Sequence, residues 1–332
     1  MDIRSERIFE ANREKILQRA TTAFGTAPGK LKRLGSFESV VYEFGRGENE
    51  FILKLTHSIH RTPEEVLGEL EWVNYLADGC IPVAPAVTSV KGNLTEVIDI
   101  EDSYFIAYAF EKAEGQRAEV STWDDALITK WGRMVGKMHS RTRTFTPSRK
   151  PLKRKQWYED PYRDFDSFVP SMQTGVLEAC RRHMAHLKAL PTDRDSYGLI
   201  HSDLHHGNFF VNDGSLTVID FDDCQYSWFA FDIAIPLFYA LTDSAVGYDN
   251  KEFARNFLGK FLSGYTQEFV LDEKWIRRLP DFLKLREMEI YGILIVDPME
   301  SMNEWCLRLL KDRRKRIEND VPFIDIDFSE FA

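Results

Sequence analysis

The chain has 332 residues, 43% hydrophobic and 29% charged, enough to bury a sizeable core and, at this length, to form two domains. Its 24 Phe, 12 Tyr and 7 Trp exclude a disordered chain, and a net charge of −10 excludes the broad basic surface of a duplex-coating protein. A small substrate fits this balance better than nucleic acid; the acidity would help attract a cationic one, though it also serves solubility alone.

An amphipathic helix is predicted from about Ile8 to Phe24. Residues 39–56 read SVVYEF, GRGEN, EFILKLT, two β-rich runs around a glycine-containing turn, hence a hairpin. Thr62, Pro63 and Glu65 then spell an N-cap, a first-turn proline and the acidic partner of a capping box. With Gly79 as the stop, a helix should run from about Pro63 to Asp78. VAPAVTSV and SYFIAYAF read as further strands, so residues 1–110 form a small α+β unit with a mostly antiparallel sheet. The polar, glycine-containing stretch Glu111–Thr122 links it to a mainly helical part, 111–332. There, helical periodicity covers 123–143, 163–189, 229–242, 251–270, 273–295 and 298–317, with one β-like passage at 199–221.

The four cysteines, Cys80, Cys180, Cys224 and Cys306, form no CxxC pair and read as buried thiols in a reducing compartment. The first twenty residues lack the unbroken apolar core of a signal peptide, and no run approaches eighteen apolar residues. A cytoplasmic protein without a membrane partner is expected.

The chemistry concentrates in 199–234, LIHSDLHHGNFFVNDGSLTVIDFDDCQYSWFAFDIA. NFFV and LTVI flank Asn212-Asp213-Gly214-Ser215, a hairpin turn. Asn208 opens the first strand and Asp220 closes the second, and the open ends of an antiparallel pair lie about 5 Å apart. An amide oxygen beside a carboxylate suits a hard cation such as Mg²⁺, with places left for water and phosphate oxygens. Asp203, in the loop entering the same hairpin end, could orient and deprotonate an attacking hydroxyl. His201-x-Asp203-x₄-Asn208 also has the spacing of a kinase catalytic loop, and Ile219-Asp220-Phe221 stands where its DFG segment would.

On a helical wheel, Val66, Leu70, Val73, Leu76 and Ala77 form the apolar stripe of the 63–78 helix, and Glu69 falls within it. A carboxylate facing the sheet needs a cation, and Lys54 in FILKL is the candidate.

These residues and the order of parts around them resemble the aminoglycoside phosphotransferase and choline kinase superfamily of protein-kinase-like small-molecule kinases. The resemblance covers about 30–240, most specifically 199–234. It implies a two-lobed kinase-like fold and transfer of the γ-phosphate of Mg-bound ATP or GTP to a small-molecule hydroxyl. It further implies Asp203 as catalytic base, Asn208 and Asp220 as Mg²⁺ ligands, and Asp232 as a brace of the catalytic loop. Lys54 matches the lysine on the α- and β-phosphates, and the resemblance also picks Glu69 as its partner. Gly35 to Tyr42, with Gly35, Ser36 and Ser39, takes the place of the phosphate-covering loop. A hinge near Tyr108–Glu111, with Tyr108, Ala109 and Phe110, would receive the base. Ser202 departs from the usual glycine before the catalytic aspartate, Asp222 replaces the DFG glycine, and Trp228 lies where a glycine often precedes Asp232-Ile233-Ala234.

Competing readings stay in view. A protein Ser/Thr kinase of the same fold, or a catalytically silent nucleotide-binding or interaction module, would share these motifs. His201, His205 and His206 read as loop residues rather than a zinc cluster. Asp297, Pro298 and Glu300 read as a helix cap rather than a substrate rim. The run Lys311–Arg316 reads as a solvated helix end. Tyr226, Trp228, Phe229, Tyr239 and Trp305 read mostly as core, with a cation–π pocket as the alternative.

Overall fold

The computed structural model describes residues 3–36, 39–296 and 302–332. The chain divides into two compact units: 1–115 with 145–154 and 217–222, and 116–144 with 155–216 and 223–332.

The first unit opens with helix α1 (Ile3–Ala23), followed by strands β1 (Lys32–Ser36), β2 (Ser39–Arg46) and β3 (Asn49–His57). Helix α2 (Pro63–Asp78) and strands β4 (Ala86–Val87), β5 (Thr95–Ile100) and β6 (Ser103–Glu111) complete it. The sheet order is β1-β2-β3-β6-β4, with β5 also on β6, and the pairings are antiparallel. The tip of the β2–β3 hairpin turns at Gly47, whose φ of +68° suits a residue without a Cβ. Alternate residues of β2 and β3 point into one core, where α1 lays Phe9, Ile16 and Ala20, and Phe24 just after it, against Phe44, Leu53 and Phe105. Of the two strands expected at 83–90 and 103–110, the first shrinks to Ala86–Val87. The strand β5, TEVIDI, was not expected.

Helix α2 has the predicted bounds. Thr62 Oγ1 accepts from Glu65 N at 3.2 Å and Glu65 Oε2 accepts from Thr62 N at 2.8 Å, closing the capping box. Gly68 lets α2 approach the 145–154 segment closely, since a Cβ there would lie 2.3 Å from the Leu152 carbonyl oxygen.

In the second unit, β7 (Gln116–Arg117) precedes helices α3 (Asp125–Thr142), α4 (Phe165–Phe168) and α5 (Thr174–Lys188). Strands β8 (Tyr197–Ile200), β9 (Phe209–Asn212), β10 (Ser215–Val218) and β11 (Gln225–Trp228) follow; the last two residues of β10 count with the first unit. The remaining helices are α6 (Phe229–Thr242), α7 (Lys251–Tyr265), α8 (Glu273–Ile276), α9 (Leu279–Val296), α10 (Glu304–Leu310) and α11 (Arg313–Glu318). Helices α3 and α7 cross at contact distance through Gly132, Gly136 and Gly264. A Cβ on Gly132 would stand 1.8 Å from the Phe261 carbonyl oxygen. The Asp213-Gly214 turn has positive φ at both residues (47° and 75°), the two-residue hairpin geometry the sequence implied.

Several expectations need correcting. The single helix expected over 163–189 is two, α4 and α5, with Pro170 between them, where it has no N–H to donate and disfavours the helical backbone of the residue before it. Cys180 and Cys224 are buried, but Cys80 is exposed and Cys306 half-buried. The 311–316 run is not simply solvated: Arg313 is buried and paired with Glu287, itself fully buried. Asp297, Pro298 and Glu300 lie outside the described residues. Among the described residues no helix is long and apolar enough to cross a membrane.

Candidate active site

In the first unit, Lys54 projects from the middle of β3, opposite Val41 on β2 and Tyr108 on β6. Its Nζ donates to Asp220 Oδ1 at 2.6 Å, with 12% of the Lys54 side chain and 45% of Asp220 exposed. Burial opposes the ammonium charge, but Asp220, Tyr108, Glu69 and Asp222 together hold its pKa well above the ordinary lysine range. Asp220 adopts a left-handed backbone, φ 64°, in the turn where Phe221 packs edge-on against Trp72 at 5.3 Å.

Glu69 occupies the predicted face of α2 and is fully buried, but the expected pairing with Lys54 is replaced by the one with Asp220. Both Glu69 carboxylate oxygens lack a hydrogen bond among the described residues. Burial and then Asp222 push its pKa up to about 7, against the pull of Lys54 and Arg154. The helical wheel could locate this carboxylate but not its distance from an ammonium on another element. Asp222, in the DFG-glycine position, is clasped by Arg61, Nε on Oδ1 at 3.2 Å and Nη2 on Oδ2 at 3.1 Å. Arg154 donates to the Asp222 backbone carbonyl. Neither arginine was singled out from sequence.

The phosphate-loop candidates Gly35 and Ser36 end β1, and Ser39 begins β2; Phe37 and Glu38 lie outside the described residues. The Ser39 hydroxyl is buried within 2.6 Å of Thr56 Oγ1, which lies 3.1 Å from the Tyr108 hydroxyl. Tyr108, Ala109 and Phe110 run inside β6, which covers the strand expected over 103–110, with Leu53 and Val87 flanking Ala109. The sheet continues to Glu111, whose N–H donates to Pro85 O at 2.9 Å.

In the second unit, Asp203 sits in the loop after β8. Asn208 Nδ2 donates to the Asp203 backbone oxygen at 2.9 Å and approaches Oδ2 at 3.3 Å. This fixes the amide with its oxygen turned away from Asp203, available to a cation. The loop is braced as expected: Asp232, fully buried, accepts from His201 N at 2.9 Å and Ser202 N at 2.7 Å. His139 Nε2 also lies 3.2 Å from Asp232 Oδ2. Ser202 has φ 70°, which explains why glycine suits this position.

Sequence reasoning missed Arg286 on α9. Its Nη2 donates to Asp203 Oδ1 and, at 2.7 Å, to the Tyr239 hydroxyl. His205 Nε2 lies 3.5 Å from Asp203 Oδ2, and His206 is half-buried, its pKa lowered to about 4, chiefly by desolvation. Among the described residues no group of three or more His, Cys, Asp or Glu could hold a metal ion. Trp228 and Phe229 are core, whereas Tyr239 and Trp305 hold nearly parallel rings, 12° between planes and 6.2 Å between centroids.

Residues 30–268 match the profile of the phosphotransferase enzyme family. The chain is 37% identical to an amicoumacin kinase of Bacillus subtilis (strain 168) over 319 residues, 95% of each chain. Its fold superposes on an amicoumacin kinase solved in complex with AMP-PNP, Ca²⁺ and Ami, with a TM-score of 0.94, 34% identity and all of both chains covered. A microcompartment-associated aminopropanol kinase shares the fold at a TM-score of 0.71 and 21% identity, over 92% of this chain and 97% of that one.

Proposed function

The chain belongs to the phosphotransferase enzyme family and is a small-molecule kinase; on that footing we propose that it moves the γ-phosphate of ATP to a hydroxyl of an acceptor of the amicoumacin class. The similarity that supports this acceptor runs the whole length of the chain, including the C-terminal helices. The first unit handles the nucleotide and the second the acceptor. The AMP-PNP and Ca²⁺ in the related structure support a nucleotide with a divalent ion, and we assign that ion as Mg²⁺ in a cytoplasmic enzyme.

The residues fit such an ion. Asn208 offers an amide oxygen whose NH₂ is already spent on Asp203, and Asp220 offers a carboxylate 45% exposed. Such an ion, when bound, would supply charge neutralisation on the phosphate oxygens. Lys54 adds a second positive charge for the phosphates, with Gly35, Ser36 and Ser39 as the residues that cover them. The base would dock where β6 ends beyond Tyr108, Ala109 and Phe110. Asp203 receives the acceptor hydroxyl, orients it and takes its proton. Little covalent work is needed, since a loose phosphoryl-transfer transition state responds mainly to positioning and charge.

The observation that carries this reading is the tethering of Asp203 within a loop whose backbone is pinned on Asp232. The test is ATP consumption with amicoumacin, with and without Mg²⁺, for the native chain and Asp203→Asn. Turnover should need both the metal and the carboxylate, while Asp203→Asn keeps nucleotide affinity; full turnover by Asp203→Asn would refute the role.

A further inference from the structure

Ser202 and Asp203 are neighbours in the chain, yet their side chains are also joined the long way round. Gln225 Nε2 donates to the Ser202 hydroxyl, and Gln225 Oε1 accepts from Arg163 Nη1 at 2.8 Å. Arg163 pairs with Glu289, Glu289 with Arg286 Nη1 at 3.3 Å, and Arg286 Nη2 with Asp203 Oδ1. The path returns to the residue next to the one it left.

Ser202, Gln225, Arg163 and Glu289 are each at most 5% exposed, and the Arg286 side chain is 12% exposed. Buried charges of alternating sign need one another, so none of Arg163, Glu289, Arg286 and Asp203 can turn away without stranding a charged neighbour. At Arg286 the planar fork is filled on both terminal nitrogens, with Tyr239 and Asp203 on one and Glu289 on the other. The guanidinium plane is therefore set by its other partners when it meets Asp203. Serine at 202 belongs to the same design. At φ 70° a glycine would be free of strain, and the serine in its place supplies the hydroxyl that closes the ring.

We infer that this ring is a positioning device for the catalytic carboxylate, with Arg286 as the residue that fixes the Asp203 rotamer from which the acceptor hydroxyl is received. The inference rests on Asp203 being the base. Arg286 and the residues behind it act through Asp203 and not on the nucleotide.

The test is steady-state kinetics on the full chain with ATP, Mg²⁺ and amicoumacin. Arg286→Ala should lower kcat about thirtyfold or more with KM for ATP within about twofold, and guanidinium ion should restore part of the loss. Arg286→Lys should recover little, because one ammonium cannot reach all three partners. Adding Arg286→Ala to Asp203→Asn should cost less than about twofold further. Ser202→Gly opens the ring without stranding a charge, so it keeps Tm and still lowers kcat, which covers the case in which Arg286→Ala does not fold. Unchanged kcat in a folded Arg286→Ala or in Ser202→Gly, or the same Arg286→Ala loss in the Asp203→Asn background, overturns the inference. Native turnover by Asp203→Asn instead overturns the base itself, and the two failures are distinguishable.

Discussion

Glu69 is a buried carboxylate whose cost can be measured through its titration. It is fully buried, neither carboxylate oxygen has a hydrogen bond among the described residues, and burial followed by Asp222 pushes its pKa from 4.5 up to about 7. The unfolded chain therefore releases this proton near pH 4.5 and the folded chain only near 7. Between those values the folded state binds more protons, so the contribution of Glu69 to stability is fully present below about 4.5 and is lost as pH rises through 7. The upward shift makes the loss from pH 5 to pH 8 on the order of 2–3 kcal/mol. Glu69→Met keeps the side-chain length and removes the titration. Urea unfolding of both proteins at pH 5 and pH 8 isolates the effect, because packing differences cancel between the two pH values. The variant should gain on the order of 2–3 kcal/mol on the native chain between pH 5 and pH 8, while losing kinase activity. A constant difference across that range would show that Glu69 is ionised throughout and paired.

Thr62→Ala removes one half of the capping box and should cost about 1 kcal/mol, read as a lower denaturation midpoint. Gly132→Ala places a methyl group 1.8 Å from the Phe261 carbonyl oxygen, and because backbone cannot yield as a side chain does, the variant should lose about 3 kcal/mol or more by urea unfolding. Arg313→Ala leaves the fully buried Glu287 without its closest guanidinium and should cost about 3–5 kcal/mol, whereas a solvated arginine would cost under about 0.5.

What was legible in the sequence is what local chemistry determines. The capping box, the hairpin turn at Asp213-Gly214 and the strand bearing Lys54 follow from residue types at fixed spacing, and the structure places them there. Glu69 was legible as a buried carboxylate because helical periodicity states which face a residue occupies. Its partner was not, because Lys54 chooses between two carboxylates by distance, and Asp220 lies 166 positions away. Arg286 was invisible for the same reason: 83 positions separate it from Asp203, on a helix without a motif. Strand β5 was overlooked because Glu96 and Asp99 break its apolar run, though half-exposed strands alternate in this way. Pro170 signals the split between α4 and α5, but Pro236 inside α6 shows that a proline alone does not end a helix.

The division of the chain carries a consequence for handling the protein. Segments 145–154 and 217–222 count with residues 1–115, and they bring Arg154, Asp220 and Asp222 to the cluster around Lys54 and Glu69. Cutting after Gly115 thus yields a fragment that lacks the counter-ions of its own interior. Excision as a stand-alone nucleotide-binding module, or use as half of a split reporter, would fail unless those two short pieces were grafted back on.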